Sequence, residues 1–148
     1  MTYPTQLATQ HGFGTGDLIV VPKSGFNIIA HHAMFYGYGH DGEAMVAENK
    51  EGFGVILRPL DQFLAEAKRI KRHIPFVGSY HERVALMERV NLRLGKQYDL
   101  WKYNCEHFVN DVKHGRVFSR QIQAFLGLAV VALLVFVVFV LPKLLKRK

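Results

Sequence analysis

The chain has 148 residues, a formal net charge of +7 and a single cysteine. A lone thiol excludes a disulfide-stapled scaffold, and the length suits one domain with one core rather than several. Four of the basic residues, Lys143, Lys146, Arg147 and Lys148, lie after Pro142; the remainder is only mildly cationic and lacks the interleaving of basic and aromatic residues that nucleic-acid binding requires.

Residues 1–15 read as an N-terminal extension, with no basic segment and apolar core of the kind that marks a cleaved secretory signal. Asp17 to Val21 is a short β-rich run behind the turn Gly14-Thr15-Gly16, and Ile28 to Tyr38 is a longer one, closed by Gly39-His40-Asp41-Gly42. Alternation within the second run puts His31, Ala33 and Phe35 on one face and His32, Met34 and Tyr36 on the other, so the two histidines are not expected to serve one site. Glu43 to Asn49 and Val55 to Arg58 extend the meander across the turn Lys50 to Gly54. Leu60 to Ala67 reads as a short helix with Asp61 in its first turn, and a further strand is expected from Lys68 to Phe76. Its start, Lys68-Arg69-Ile70-Lys71-Arg72-His73, reads as a solvated strand face, with attraction to anionic lipid headgroups as the alternative.

Past Gly78 the apolar period changes. Ser79-Tyr80-His81-Glu82 has the form of a capping box, and Leu86, Met87, Val90 and Leu94 recur at helical spacing up to Gly95. Asn104 and Gly115 delimit another helix, with Cys105, Phe108, Val109 and Val112 on one stripe. Cys105 thus falls in a first helical turn, where unpaired amides and the positive end of the dipole favour a thiolate. The plainer reading is a buried apolar cysteine. A nucleophile would need a base, and the candidates are eight histidines.

Ile122 to Leu141 contains no charge. At about 1.5 Å per residue, roughly 20 helical residues match the hydrocarbon thickness of a bilayer. The run is apolar all round rather than on one stripe, which favours a spanning helix over an interfacial one. The domain plan is therefore a thiol domain over 16–117, a linker over 118–123, a transmembrane helix over 124–142 and a basic tail over 143–148. A single-pass, tail-anchored protein with its thiol domain in the cytoplasm is the expected topology, although basic residues flank both ends of the span and the positive-inside rule leaves its orientation open.

Three segments together resemble a known family. Gly16-Asp17-Leu18-Ile19, His31-His32-Ala33-Met34-Phe35-Tyr36-Gly37 and Asn104-Cys105-Glu106-His107-Phe108-Val109, in that order, resemble the lecithin:retinol acyltransferase-like family, a branch of the circularly permuted papain-like (NlpC-like) thiol enzymes. The likeness covers roughly Gly16 to Arg116. It implies an α+β fold, an antiparallel sheet packed against helices, with the cysteine at a helix N-terminus facing a strand histidine. By the same resemblance Cys105 is the nucleophile, His31 the general base and His107 a structural member of the motif, and no cofactor or metal is called for. Such enzymes commonly carry a second histidine on the next strand; here Val46-Ala47-Glu48-Asn49 stands there. Matching the pattern puts Glu48 in the orienting position, with Asn49 as fallback and a plain exposed charge as the alternative for Glu48.

The implied activity is that of a membrane-anchored thiol acyltransferase or phospholipase A-type hydrolase, working on phospholipid or other acyl-lipid esters at a bilayer through a cysteine thioester. An amidase or peptidase at the membrane is the enzymatic alternative, and a lipid- or protein-binding module that keeps the fold is the non-catalytic one. A metal site of His31, His40 and Cys105 ranks below these, since the spacing of zinc motifs is absent.

Overall fold

A computed structural model of the chain describes residues 3–23, 29–67 and 69–145. The expected strand start at Ile28, the residue Lys68 and the terminal cations Lys146, Arg147 and Lys148 lie outside the described residues. The chain divides into two units, Met1–Phe118 and Ser119–Lys148.

The first unit is an α+β domain built on a five-stranded antiparallel sheet of order β4-β3-β2-β1-β5. Its elements in chain order are α1 (Tyr3–His11), β1 (Leu18–Pro22), β2 (Ala30–Tyr38), β3 (Ala44–Lys50), β4 (Gly54–Pro59), α2 (Leu60–Ala67), β5 (Arg72–Ile74), α3 (Tyr80–Asn91) and α4 (Cys105–His114). The central strands β2 and β3 are apolar on both faces because both faces are covered. One side packs Ile19, Val21, Ala33, Phe35 and Val46 with Leu60 and Phe63 of α2. The other packs Met34, Ala47 and Val55 with Leu86 and Val90 of α3 and Phe108, Val109 and Val112 of α4. The helical stripe expected from Cys105 to Val112 is therefore the face that α4 buries.

Two expectations change. The extension before residue 16 carries α1, whose Ala8 is fully buried in the core beside Phe13 and Phe35; a helix with so few apolar residues leaves little periodic signal. The strand expected over Lys68 to Phe76 shrinks to Arg72–Ile74, paired to β1. It ends there because Pro75 has no N–H for the ladder and the Phe76 amide donates to the Asp17 carboxylate instead, at 2.8 Å.

The loop between α3 and α4 is tied to the sheet at β4. Val55 N–H donates to Lys96 O and Gly95 N–H donates to Val55 O, each at 2.9 Å. The approach is close enough that only glycine fits at residue 54: its φ is 79°, and a Cβ there would lie 2.5 Å from Lys96 O. The same loop leads to Tyr103 and Asn104, so this contact sets where α4 begins.

In the second unit, α5 (Arg120–Val135), a π-helical turn (Phe136–Val140) and α6 (Leu141–Leu145) follow without interruption. Together they make a 26-residue helix, Arg120–Leu145, long and apolar enough to cross a membrane. Its length is about 39 Å. Ser119 caps it by accepting from Ile122 N–H. The π turn lies immediately before Pro142, whose ring displaces the carbonyl four residues earlier and whose missing N–H breaks the regular ladder.

The glycine contact gives a paired expectation. Gly54→Ala should lower the thermal midpoint markedly, since it adds a backbone clash to the left-handed φ, whereas Gly52→Ala, at φ 83° with nothing within 4 Å of the added Cβ, should cost only the conformational term of about 1–2 kcal/mol. Equal losses in thermal melts would show that the Lys96 approach does not constrain the fold.

Candidate active site

Cys105 opens α4, and its surroundings follow from the residue before it. Asn104 has extended backbone, and its Oδ1 accepts from the amides of Glu106 and His107 at 3.0 and 3.1 Å. Its own N–H donates to Nδ1 of His107 at 3.1 Å, closing a capping box in which histidine takes the place of the usual glutamate. Burial holds the His107 imidazole below its ordinary pKa, in keeping with an uncharged acceptor. The Cys105 amide stands outside this cap, in the turn where the helix dipole is positive. At the far end Gly115 adopts φ 65° and stops the helix, as expected.

The helix is fixed to the sheet by groups that sequence reading did not place. Asn49 donates from Nδ2 to the Tyr103 carbonyl at 2.5 Å. Tyr103 in turn donates its hydroxyl to Asp111 at 2.7 Å, and Asp111 also takes both arms of Arg93, at 3.0 and 2.9 Å. Asn49, the fallback orienter, therefore holds the backbone two residues before the thiol rather than touching His31.

His31 and Glu48 meet on the α2 side of the sheet. The register sets Ala33 opposite Glu48, so His31 and Glu48 are diagonal neighbours on one face, and His31 Nε2 lies 2.5 Å from Glu48 Oε2. Glu48 is 2% exposed; the plain surface charge is excluded. Its other oxygen accepts from Arg58 at 3.0 Å. Arg58 escaped sequence reading because its place beside Glu48 depends on the β3–β4 register, which pairs Val46 with Arg58.

Both His31 and His32 lie near enough to Cys105 to favour its thiolate. The expectation that alternation would keep one of these histidines from the site is corrected: the Cys105 sulfur lies 3.9 Å from the carbonyl oxygen of Ala30, the first residue of β2, and at a strand end side chains from both faces can converge. The His32 ring is buried, and its Nδ1 has no hydrogen-bond partner among the described residues.

The electrostatics follow from this packing. Burial pushes the Cys105 thiol up, but hydrogen bonds from His31 and His32 outweigh it and bring the thiol down to about 6. Burial likewise opposes a charged His31, yet its bonds to Cys105 and Glu48 raise it to about 9. Burial disfavours the Glu48 carboxylate, and its bonds to His31 and Arg58 hold it below the usual range all the same. The pair is thus thiolate and imidazolium across the neutral range. On the far side of His31 and Glu48 opens a cavity of about 340 Å³ walled by Lys23, Lys50, Arg58 and Phe63. Among the described residues no three His, Cys, Asp or Glu side chains gather in a way that could hold a metal ion.

A thiol at a helix N-terminus beside a strand histidine is an arrangement of thiol enzymes, with a carboxylate here holding the far side of the imidazole. The family model for lecithin retinol acyltransferase matches residues 11–118, and the chain belongs to that family. The family is generally enzymatic, with acyltransferase chemistry on lipid substrates. No curated protein matches the chain.

The chain's one cysteine makes its ionisation directly measurable. Alkylation by iodoacetamide, followed by mass spectrometry against pH, should rise with a midpoint near 6 rather than at the ordinary thiol value of about 8.5. In His31→Ala the midpoint should move up by more than a unit, because the cation that favours the thiolate is gone. An unshifted midpoint in the wild type would show that the ion pair does not form.

Proposed function

We propose that this protein is a membrane-anchored thiol enzyme that transfers or hydrolyses the acyl groups of phospholipids or related lipid esters. Cys105 is the nucleophile, His31 the general acid and base, and Glu48 the group that orients His31. The observation that carries this reading is the placement of Cys105 in the first turn of α4, its sulfur against the start of β2, with His31 of that strand held by Glu48 at 2.5 Å. The apolar helix Arg120–Leu145 supports a site held at a bilayer, as a single-pass tail anchor with the thiol domain on the cytoplasmic side.

In this mechanism the Cys105 thiolate adds to the ester carbonyl, and the oxyanion that forms is met by the Cys105 backbone N–H at the positive end of α4. The tetrahedral species collapses as the carbon–oxygen bond breaks, and the leaving alkoxide takes the proton of the His31 imidazolium. A thioester and a neutral imidazole remain. An alcohol, an amine or water then gives its proton to His31 as it attacks the thioester carbonyl, and expulsion of the Cys105 thiolate restores the ion pair. Glu48 keeps one edge of the ring engaged throughout and favours its charged form, as the carboxylate of other triads does.

The test is a trapped acyl group. Full-length protein in vesicles of labelled phosphatidylcholine should show an acyl thioester on Cys105 by mass spectrometry. Cys105→Ala should abolish turnover with little loss of fold, His31→Ala should do the same, and Glu48→Gln should slow turnover on the order of 100-fold or more while leaving acylation detectable. Turnover that persists in Cys105→Ala would end this reading.

Deletion of Ala124 to Lys148 probes the anchor. The truncated chain should leave the membrane fraction on carbonate extraction and act on dispersed short-chain esters, but lose rate on bilayers, because anchoring raises the local concentration of substrate at the site. Retention in the membrane fraction would place the anchor elsewhere.

A further inference from the structure

The orienting carboxylate does not stand alone. Glu48 Oε2 faces His31 at 2.5 Å, while Oε1 accepts from Arg58 Nη1 at 3.0 Å. The same Arg58 nitrogen donates to Glu66 of α2 at 2.7 Å, and Lys50 Nζ bonds that Glu66 oxygen at 2.8 Å. Charges therefore alternate in sign from the thiolate outward: Cys105, His31, Glu48, Arg58, Glu66, Lys50. From Glu48 the line runs outward, with side-chain exposure of 2% for Glu48, 13% for Arg58 and 58% for Glu66, and Lys50 beyond it is 28% exposed. The remaining charged pair of this cavity, Lys23 with Glu51 at 3.0 Å, has the Tyr98 hydroxyl as its further partner, at 3.4 Å from Lys23.

We propose that Arg58 is a positioning residue of the active site: it keeps Glu48 ionised and aimed at His31, and so allows a carboxylate to fill a place where the related enzymes commonly carry an imidazole. This rests on the proposed roles of Cys105, His31 and Glu48. The physical need is plain. A carboxylate this buried, with histidine as its sole partner, gains by taking the histidine's proton, since two neutral groups are easier to bury than an ion pair. Once protonated, Glu48 no longer supports an imidazolium, and the thiolate loses its counter-ion. A guanidinium on the second oxygen removes that escape, because it bonds well only to the charged carboxylate. Glu66 and Lys50 then hold Arg58 from the solvent side and let the buried part of the line end in water.

The experiment reads Cys105 alkylation by iodoacetamide against pH in the full-length protein, kept in detergent micelles. It needs no substrate, so it stands even if Cys105 proves not to carry an acyl group. In Arg58→Met the midpoint should rise by about one unit, and Arg58→Lys should recover most of the shift. In a Glu48→Gln background Arg58→Met should add nothing, because the residue acts through the carboxylate. An unchanged midpoint in Arg58→Met, or a shift of equal size in both backgrounds, would overturn the proposal. A purely structural arginine would lower the melting temperature and leave the midpoint in place.

Discussion

Everything at the site depends on where α4 begins. The side chains of Cys105 and His31 come from elements more than 70 residues apart in sequence, and they come near each other because the first turn of α4 is set down at the start of β2. That placement is over-determined. Asn104 caps the helix and binds the Leu100 carbonyl at 3.0 Å, Asn49 grips the Tyr103 carbonyl, and the cluster of Asp111 with Tyr103 and Arg93 ties the next helical turns to the turn that follows α3. Below it, Phe108, Val109 and Val112 bury the apolar stripe against Met34 and Ala47. Packing decides that the helix lies on the sheet, and the polar contacts decide how far along it lies.

This division of labour explains an apparent extravagance. Two asparagines, a tyrosine, an aspartate and an arginine are spent on one loop and one helix end that apolar packing already holds against the sheet. A displacement of α4 by a fraction of an ångström would barely change buried area, so burial alone cannot fix the sulfur relative to the imidazole. Hydrogen bonds with steep distance dependence can. The same reasoning applies to Gly54, where the backbone of β4 meets that of Lys96 with no room for a side chain.

Much of this was legible in the sequence, and the reason differs from element to element. The capping signals at Ser79 and Asn104 are local, and both are present in the structure as read. Leu60–Ala67 and the central strands were marked by period and turn chemistry, with ends displaced by one or two residues. Alternation put Glu48 on the face of Ala44 and Val46, and the register brings it to His31. What stayed hidden was relational. Arg58 reaches Glu48 only through the β3–β4 register, Asn49 meets Tyr103 only once α4 has docked, and His32 joins Cys105 only because the thiol lies at a strand end. The helix α1 was hidden for a different reason: among its described side chains only Ala8 and Leu7 pack into the core, too few to leave a period.

In the proposed site Glu48 stands beside the base His31 where the family resemblance leads one to expect histidine, and this has a consequence for the whole face of the domain. An imidazole in that position would be content neutral, among apolar neighbours. A carboxylate is not, and one buried negative charge calls for a buried positive one, which must itself be led to solvent. The polar wall of the cavity next to His31, with Arg58, Glu66 and Lys50 in sequence, is what that single replacement entails electrostatically. The cavity is not charged throughout: Val21, Pro22, Phe63 and Ala67 share its lining with those groups. In the proposed reaction the paired charges would then meet a polar headgroup or a small nucleophile, while the apolar residues among them would accept the first methylene groups of an acyl chain.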